Sequence, residues 1–301
     1  MEARERGRSH RGGACVGAAL LCVQDRHARL PVHEPHGPRT QTERDDRGAA
    51  SVEDFAAEVT AIRDRFGDLP MLLAGMVGST VGWRVVPYVP APAGIDDLVV
   101  ALAWIDDRTA IVPGVSCGGE RSDVMRGEEV QLLGAVAGGM VPADALLAQP
   151  GTHCKWATMA DGCIAGFTTA MTGELFAMLR KHSLLAGSLG ADVADGDAFR
   201  AGLAEGARRD LAASLFAVRA ASVLGEREDA DAASFASGVL IGSDVVARLA
   251  ETPFERVHIL ADAALGGLYA TAVAAAGREP VIVDSHAAFT AGILAIGKKS
   301  L

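Results

Sequence analysis

The spacing of apolar residues divides the chain at about residue 50. Residues 1 to about 50 show neither the period of two that is typical of strands nor the period of 3.6 that is typical of helices. From residue 51 onward the pattern becomes regular. The run Ser51-Val52-Glu53-Asp54 predicts the start of a helix that carries apolar residues at helical spacing and ends at Gly67. The sequence therefore predicts an irregular, disordered N-terminal segment followed by a folded chain.

The regular part of the chain alternates between strand-like and helix-like segments. In the first half, apolar runs at 71–76 and 85–89 predict buried strands, and segments at 98–105 and 110–115 precede a helix at 128–137. A second unit begins near residue 145 with a strand–turn–strand–turn–strand meander that ends at residue 168. The rest is predicted as helices over most of 171–250, a strand at 257–260, a helix at 265–276, a strand at 281–283 and a helix at 287–296. This alternation indicates an α/β architecture.

Composition narrows the function classes. The formal net charge of −10 argues against a nucleic-acid partner, because such proteins usually present a basic face. Five cysteines without paired spacing favour reduced thiols and a cytoplasmic location, and they give no zinc motif. An apolar run at 12–23 lacks a clean cleavage site, so we favour no signal peptide. We expect no stretch long enough to span a bilayer and therefore no membrane partner.

The segment 150–156, with the sequence PGTHCKW, is a candidate phosphate-binding turn. Gly151 and Thr152 lie between two predicted strands, where backbone N–H groups and a hydroxyl can face a phosphate, and Lys155 adds a nearby positive charge. An ordinary hairpin turn would have the same composition, and on spacing alone that interpretation is favoured.

A second candidate is the acidic and basic cluster at 123–129, with the sequence DVMRGEE. The cluster lies between a strand and a helix, which is where α/β proteins often bind ligands. Glu128 could accept a proton from an attacking hydroxyl, with Asp123 as the alternative base, and Arg126 could bind a carboxylate through two hydrogen bonds. Simple complementation of the helix dipole by acidic residues is an equally good explanation.

Taken together, several segments resemble the 2-dehydro-3-deoxygalactonokinase family over residues 48–296. They occur in the family's order and approximate spacing: GMVGSTVGW at 75–83, PYVPAPA at 87–93, IVPG at 111–114, DVMRGEE at 123–129, PGTHCKW at 150–156, MTGELFAMLRKHSLL at 171–185 and SGVLIGSDV at 237–245. The resemblance implies an actin-like ATPase fold with two ribonuclease-H-like lobes. It also implies transfer of the γ-phosphoryl group of ATP, with Mg²⁺, to the terminal hydroxyl of 2-dehydro-3-deoxy-D-galactonate. The resemblance leaves open whether the galactonate-derived or the gluconate-derived sugar acid is preferred.

The resemblance also assigns roles to particular residues. Gly78, Ser79 and Trp83 resemble part of the sugar-acid pocket, together with Arg126. The phosphates of ATP are expected at the second phosphate loop, which is formed by Gly151, Thr152 and Lys155, and the catalytic base is expected to be Glu128 or Asp123. The implied division of the chain is a first, sugar-acid-binding lobe over 48–144 and a second, nucleotide-binding lobe over 145–301.

The chain departs from the family pattern in two places. Family members begin with a strand and an Asp-Trp-Gly-Thr/Ser-Thr turn, which residues 1–50 lack. Residues 1–47 therefore resemble an out-of-frame translation or a wrongly chosen start, and we expect the first lobe to be incomplete. An alternative function follows, a catalytically impaired relic that still binds the sugar acid. The second departure is Asp262, near which a glycine is expected for close approach of adenine.

Overall fold

The structure is a computed structural model that describes residues 21–24, 27–34, 37–42, 49–119, 121–226 and 228–301. Its strands are β1 (Leu21–Gln24), β2 (His27–Glu34), β3 (Gly37–Thr42), β4 (Met71–Ala74), β5 (Val89–Pro90), β6 (Ala103–Trp104), β7 (Thr109–Ile111), β8 (Val115–Cys117), β9 (Asp123–Met125), β10 (Ala145–Gln149), β11 (Cys154–Ala160), β12 (Cys163–Ala170), β13 (Arg256–Ala261) and β14 (Glu279–Asp284). Its α-helices are α1 (Phe55–Phe66), α2 (Ile95–Val100), α3 (Glu128–Ala137), α4 (Thr172–His182), α5 (Asp197–Gly206), α6 (Leu211–Leu224), α7 (Asp229–Leu249), α8 (Ala263–Ala275) and α9 (Ser285–Ser300).

Two sheets share the same central topology. The first has the order β3-β2-β1-β4-β7-β6, and the second has the order β12-β11-β10-β13-β14. In each sheet a three-stranded antiparallel meander is followed by two strands that run parallel to the meander's first strand. In the first sheet, β6 is added antiparallel to β7 at the edge. This repeated unit is the ribonuclease-H-like lobe, and its presence twice confirms the predicted two-lobed, actin-like ATPase fold. A small third sheet, β5-β8-β9, is formed by short strands whose positions along the chain alternate with β6 and β7 of the first sheet.

The N-terminal strands correct the expectation of an incomplete first lobe. Strand β1 runs parallel to β4, with Leu21 opposite Met71 and Val23 opposite Leu73, and β2 and β3 extend the sheet beyond it. Without β1, one edge of β4 would have unpaired backbone N–H and C=O groups, so the pairing has a clear physical reason. The prediction of disorder over residues 1–47 is therefore wrong for these strands. The remaining residues of that segment lie outside the described residues.

Most of the predicted elements after residue 50 are confirmed. Helix α1 begins at Asp54, whose Oδ1 accepts a hydrogen bond from the Ala57 N–H, and it ends at Gly67 with a φ of 102°. The predictions for 85–89 and 98–105 are wrong in part. The Val86 N–H bonds to the Gly78 carbonyl in a turn rather than to a strand, and α2 occupies the start of the other segment.

The largest apolar core joins the two sheets through α3 and α9. It includes Leu72 from the first sheet, Leu147 from the second and Leu133 from α3. The two helices pack closely because Gly134 and Gly292 face the partner backbone, where a Cβ would collide with a carbonyl oxygen. This packing fixes the first turn of α3 between the two lobes.

Helix α7 corrects the expectation about membrane-spanning segments. Its 21 residues are long and apolar enough to cross a bilayer by length and composition, whereas the sequence analysis expected no such stretch. However, 78% of its apolar window is buried inside the protein, against α5, α6 and α8. A core helix of a globular protein meets the same criteria of length and composition.

Candidate active site

The turn that precedes α3 is held by two consecutive glutamates. The Glu128 Oε2 accepts a hydrogen bond from the Arg126 backbone N–H at 3.0 Å, and the Glu129 Oε2 accepts one from the Gly127 N–H at 2.6 Å. Gly127 has a φ of 105° and packs on Gly75, where a Cβ would lie 3.1 Å from the Gly75 Cα. Glycine is required here because other residues rarely adopt this backbone conformation. The turn is therefore fixed both by its sequence and by side-chain hydrogen bonds.

The Arg126 guanidinium is enclosed and only partly satisfied. Its Nη2 donates to the Val86 carbonyl oxygen at 2.6 Å, and its charged carbon lies 4.3 Å from the centroid of the Tyr88 ring. Gly78 leaves room for the guanidinium, since a Cβ at Gly78 would lie 2.7 Å from the Arg126 Nη1 atom. The Nε and Nη1 atoms are buried and have no hydrogen-bond acceptor. Unmatched buried donors are costly, so the guanidinium is ready to bind an anion.

The pair of Lys155 and Glu128 connects the two candidate motifs. Lys155 lies on β11 with 4% of its surface exposed, and its Nζ is 3.7 Å from the Glu128 Oε1. A buried lysine is rare unless it is paired, and Glu128 is its ion-pair partner. The structure therefore places a carboxylate from the cluster at 123–129 beside a positive charge from the segment at 150–156.

The Gly151–Thr152 turn is exposed and rests on α4. The Glu174 N–H donates to the Thr152 carbonyl oxygen at 2.8 Å, and the Glu174 Oε2 lies 2.6 Å from the His153 Nε2. Gly173 packs so closely on the turn that a Cβ there would collide with the Gly151 carbonyl oxygen. The turn thus presents its backbone to solvent while the first turn of α4 fixes its position.

Two buried glutamines lie near the ion pair. Gln131 is one helical turn after Glu128, and Gln149 is the cross-strand neighbour of Lys155. The Gln149 Nε2 donates to the Gln131 Oε1, and the Gln131 Nε2 donates to the Ser285 carbonyl oxygen at 3.5 Å. The Gln149 Oε1 is buried and has no partner. These amides place buried polar groups where the two lobes meet.

A partly buried acid, Asp244, supports the second lobe behind the phosphate-turn candidate. The Asp244 Oδ2 accepts hydrogen bonds from the Trp156 Nε1 at 3.2 Å and from the Thr172 Oγ1 at 3.0 Å. Burial raises the pKa of the Asp244 carboxyl above its usual value, while these two donors act in the opposite direction. Asp244 therefore ties α7 to β11 and to the first residue of α4.

Three of the predicted site residues have structural contacts instead. Both carboxylate oxygens of Asp123 accept hydrogen bonds from Thr169, which ties β9 to β12. The Ser79 Oγ donates to the carbonyl oxygen of Met76 within its own turn, and the Trp83 ring stacks on Phe55 with centroids 5.9 Å apart. Whether Glu128 or Asp123 acts as the base stays a prediction. Contact of Ser79 and Trp83 with a substrate stays a prediction.

Glu129 and Tyr88 belong to this turn and its surroundings but were not predicted from the sequence. The burial of Glu129 could have been predicted from the sequence. Leu132 and Leu133 follow it by three and four residues, so its carboxyl lies on the apolar face of the helix. Nothing in the sequence places Tyr88 against Arg126, since that contact crosses from one chain segment to another. The departure at Asp262 has a structural role, because its Oδ1 caps α8 by accepting from the Leu265 N–H at 2.9 Å.

Comparison with known proteins identifies the family of the chain. The family model described as 2-keto-3-deoxy-galactonokinase matches residues 26–296. The 2-dehydro-3-deoxygalactonokinase of Escherichia coli K12 is 38% identical over 230 residues, which cover 75% of this chain and 78% of the relative. The probable 2-dehydro-3-deoxygalactonokinase of Rhizobium meliloti is 36% identical over 244 residues, which cover 76% and 78%.

A solved structure extends the similarity to the fold. The crystal structure of a protein assigned as a 2-dehydro-3-deoxygalactonokinase from Sinorhizobium meliloti superposes with a TM-score of 0.86 at 31% identity. The similarity covers 94% of this chain and 98% of the solved chain. The family model, the two relatives and this structure agree, and the chain belongs to the 2-keto-3-deoxy-galactonokinase family.

Proposed function

We propose that this protein is a carbohydrate kinase that transfers the γ-phosphoryl group of ATP to the terminal hydroxyl of 2-dehydro-3-deoxy-D-galactonate, in galactonate catabolism. The observation that carries the proposal is the enclosed Arg126 guanidinium, with its unsatisfied donors, on the same turn as the Glu128–Lys155 pair. The guanidinium can bind the carboxylate of the substrate. The Glu128–Lys155 pair can accept a proton from a hydroxyl and neutralise the charge of a phosphoryl group.

The proposed roles follow from the contacts of each residue. Arg126 binds the carboxylate of the sugar acid, after a small adjustment that opens its enclosed donors to the ligand. Glu128 accepts the proton of the terminal hydroxyl as that oxygen bonds to the γ-phosphorus. The bond between the γ-phosphorus and the bridging oxygen breaks, and ADP leaves with that electron pair. Lys155 neutralises charge on the transferred group.

ATP fits the second lobe beside the phosphate turn. The exposed backbone at Gly151 and Thr152 can donate to phosphate oxygens, and a small cavity bordered by Gly151, Phe176 and Tyr269 adjoins it. We infer that residues 48–144 serve the sugar acid and residues 145–301 serve the nucleotide. A cytoplasmic location suits both ligands.

Magnesium is proposed to accompany the nucleotide. The described part of the chain contains no group of three or more His, Cys, Asp or Glu side chains that could hold a metal ion. Proteins commonly bind Mg²⁺ through one or two carboxylates together with substrate phosphates and water. In that arrangement the ion would offset the negative charge of the phosphates during transfer.

The test is a kinase assay of the full chain with ATP, Mg²⁺ and 2-dehydro-3-deoxygalactonate, with ADP release coupled to NADH oxidation. We expect turnover that falls about a hundredfold or more in Glu128→Gln, the usual scale for losing a general base. Glu255→Gln is the matched control, because its side chain is 80% exposed. The gluconate-derived epimer, assayed in parallel, tests the stereochemical preference.

Two outcomes would change the proposal. Full activity in Glu128→Gln would remove Glu128 as the base. Absence of turnover in the unmodified chain, with sugar-acid binding still measurable by calorimetry, would instead support the impaired, sugar-acid-binding relic.

A further inference from the structure

Glu129 is a fully buried carboxyl without an assigned role. It belongs to α3, in which Val130, Leu132 and Leu133 are also buried, and its relative exposure is 0%. Charged side chains are almost never fully buried unless they are paired. No ion pair to Glu129 occurs among the described residues, so its burial requires another explanation.

The contacts of Glu129 are unequal at its two oxygens. The Oε2 accepts the short hydrogen bond from the Gly127 N–H, whereas the Oε1 is buried and has no partner. Burial of a charged carboxylate costs free energy when one of its oxygens has no hydrogen-bond donor. A proton on the carboxyl removes that charge and leaves the hydrogen bond to Gly127 in place.

The neighbouring charges favour the same state. Burial, and then the negative charge of Glu128, raise the pKa of Glu129 to about 8, while the Gly127 N–H and the Arg126 guanidinium oppose the rise. The charged groups near this carboxyl are Glu128 and Arg126 from its own turn, and Lys155 on β11 faces Glu128 rather than Glu129. Two adjacent carboxyls in a buried site commonly share one proton.

We propose that Glu129 is a positioning residue: in its protonated form it holds the Arg126–Gly127 turn and leaves Glu128 as the charged member of the pair beside Lys155. This inference rests on the proposed function for its catalytic consequence. Ionisation of Glu129 adds a second negative charge next to the base and the phosphoryl group, at a fully buried position where a charge is costly. Activity then decreases on the alkaline side.

The experiment compares Glu129→Gln with Glu129→Ala in the full-length protein. Glutamine keeps the shape and the acceptor for the Gly127 N–H but cannot ionise, so kcat at pH 7 should stay within about threefold of the unmodified protein. The unmodified protein should lose kcat as the pH rises past about 8, and the glutamine variant should not. Alanine should raise the KM for the sugar acid about tenfold, the scale of one lost hydrogen bond, with a smaller effect on kcat.

A stability measurement separates this inference from the proposed function. The folded-state pKa of Glu129 is raised above its unfolded value of 4.5, so its contribution to stability is complete below pH 4.5 and is lost as the pH rises through about 8. Denaturation of the glutamine variant should therefore show a stability advantage over the unmodified protein that grows from pH 5 to pH 8. This result is expected whether or not the protein is a kinase.

Three results would overturn the inference. Parallel denaturation profiles for the two proteins from pH 5 to pH 8 would show that Glu129 holds no proton. An unchanged alkaline decrease of kcat in the glutamine variant would assign that decrease to another group. A loss of kcat as large as that of Glu128→Gln would give Glu129 a direct catalytic role. If only the kinase assay fails, the proposed function is wrong and the stability result stands.

Discussion

The two turns of the candidate site are built in opposite ways. The Arg126–Gly127 turn is enclosed, fixed by two glutamate side chains and by the contact of Gly127 with Gly75. The Gly151–Thr152 turn is exposed, and its position is fixed from behind by the first turn of α4. The first turn brings side-chain chemistry to the site, whereas the second offers backbone donors.

This difference predicts how each turn responds to mutation. Side chains of the enclosed turn act through charge and hydrogen bonding in a low-dielectric environment, where each change has a large effect. The exposed turn acts through backbone position, so it should be sensitive to the packing behind it. Lys155, which contacts the enclosed turn from the strand after the exposed one, should combine both kinds of sensitivity.

The largest effect is expected for Lys155→Met. Methionine has a similar length but no charge, so Glu128 loses its buried partner and the transferred phosphoryl group loses a neutralising charge. We expect kcat/KM for ATP to fall about a hundredfold, the upper range for losing one charge-assisted contact in steady-state kinetics. Lys181→Met, at an exposed position of α4, is the control. Equal effects in both variants would contradict the role of Lys155.

A smaller effect is expected for Arg126→Lys. Lysine keeps the positive charge but cannot form the planar, two-pronged contact or the same stacking on Tyr88. The KM for the sugar acid should rise about tenfold, with ATP affinity nearly unchanged. Arg219→Lys, on the exposed side of α6, serves as the control. A rise in the KM for ATP alone would place Arg126 at the nucleotide instead.

The smallest effect is expected for Gly173→Ala, which tests how the exposed turn is supported. Alanine normally stabilises a helix, but here its Cβ would collide with the Gly151 carbonyl oxygen and displace the turn. We expect about a threefold to tenfold rise in the KM for ATP, because small displacements of positioning groups reduce catalysis. Gly187→Ala is the matched control, since nothing lies within 4 Å of its Cβ position. Identical kinetics in the two variants would show that α4 does not position the turn.

Several parts of the fold and of the site were accessible from the sequence. Turns and caps depend on residues that are close together in the chain, so local patterns predict them. Examples are the hairpin with Gly151 and Lys155, the helix that begins at Glu128 and the cap at Asp54. The contacts of Asp123 with Thr169 and of Trp83 with Phe55 were not accessible, since each joins segments that are far apart in sequence.

The sequence by itself determined the α/β alternation, the family motifs and the types of residue available for chemistry. Only the tertiary structure decided that Lys155 pairs with Glu128, that Arg126 has buried donors without an acceptor, and that Glu129 is a buried carboxyl. The physical reason is that charge pairing and desolvation depend on distances and burial between elements. Those quantities are set when α3 packs against α9 and the two sheets close around them.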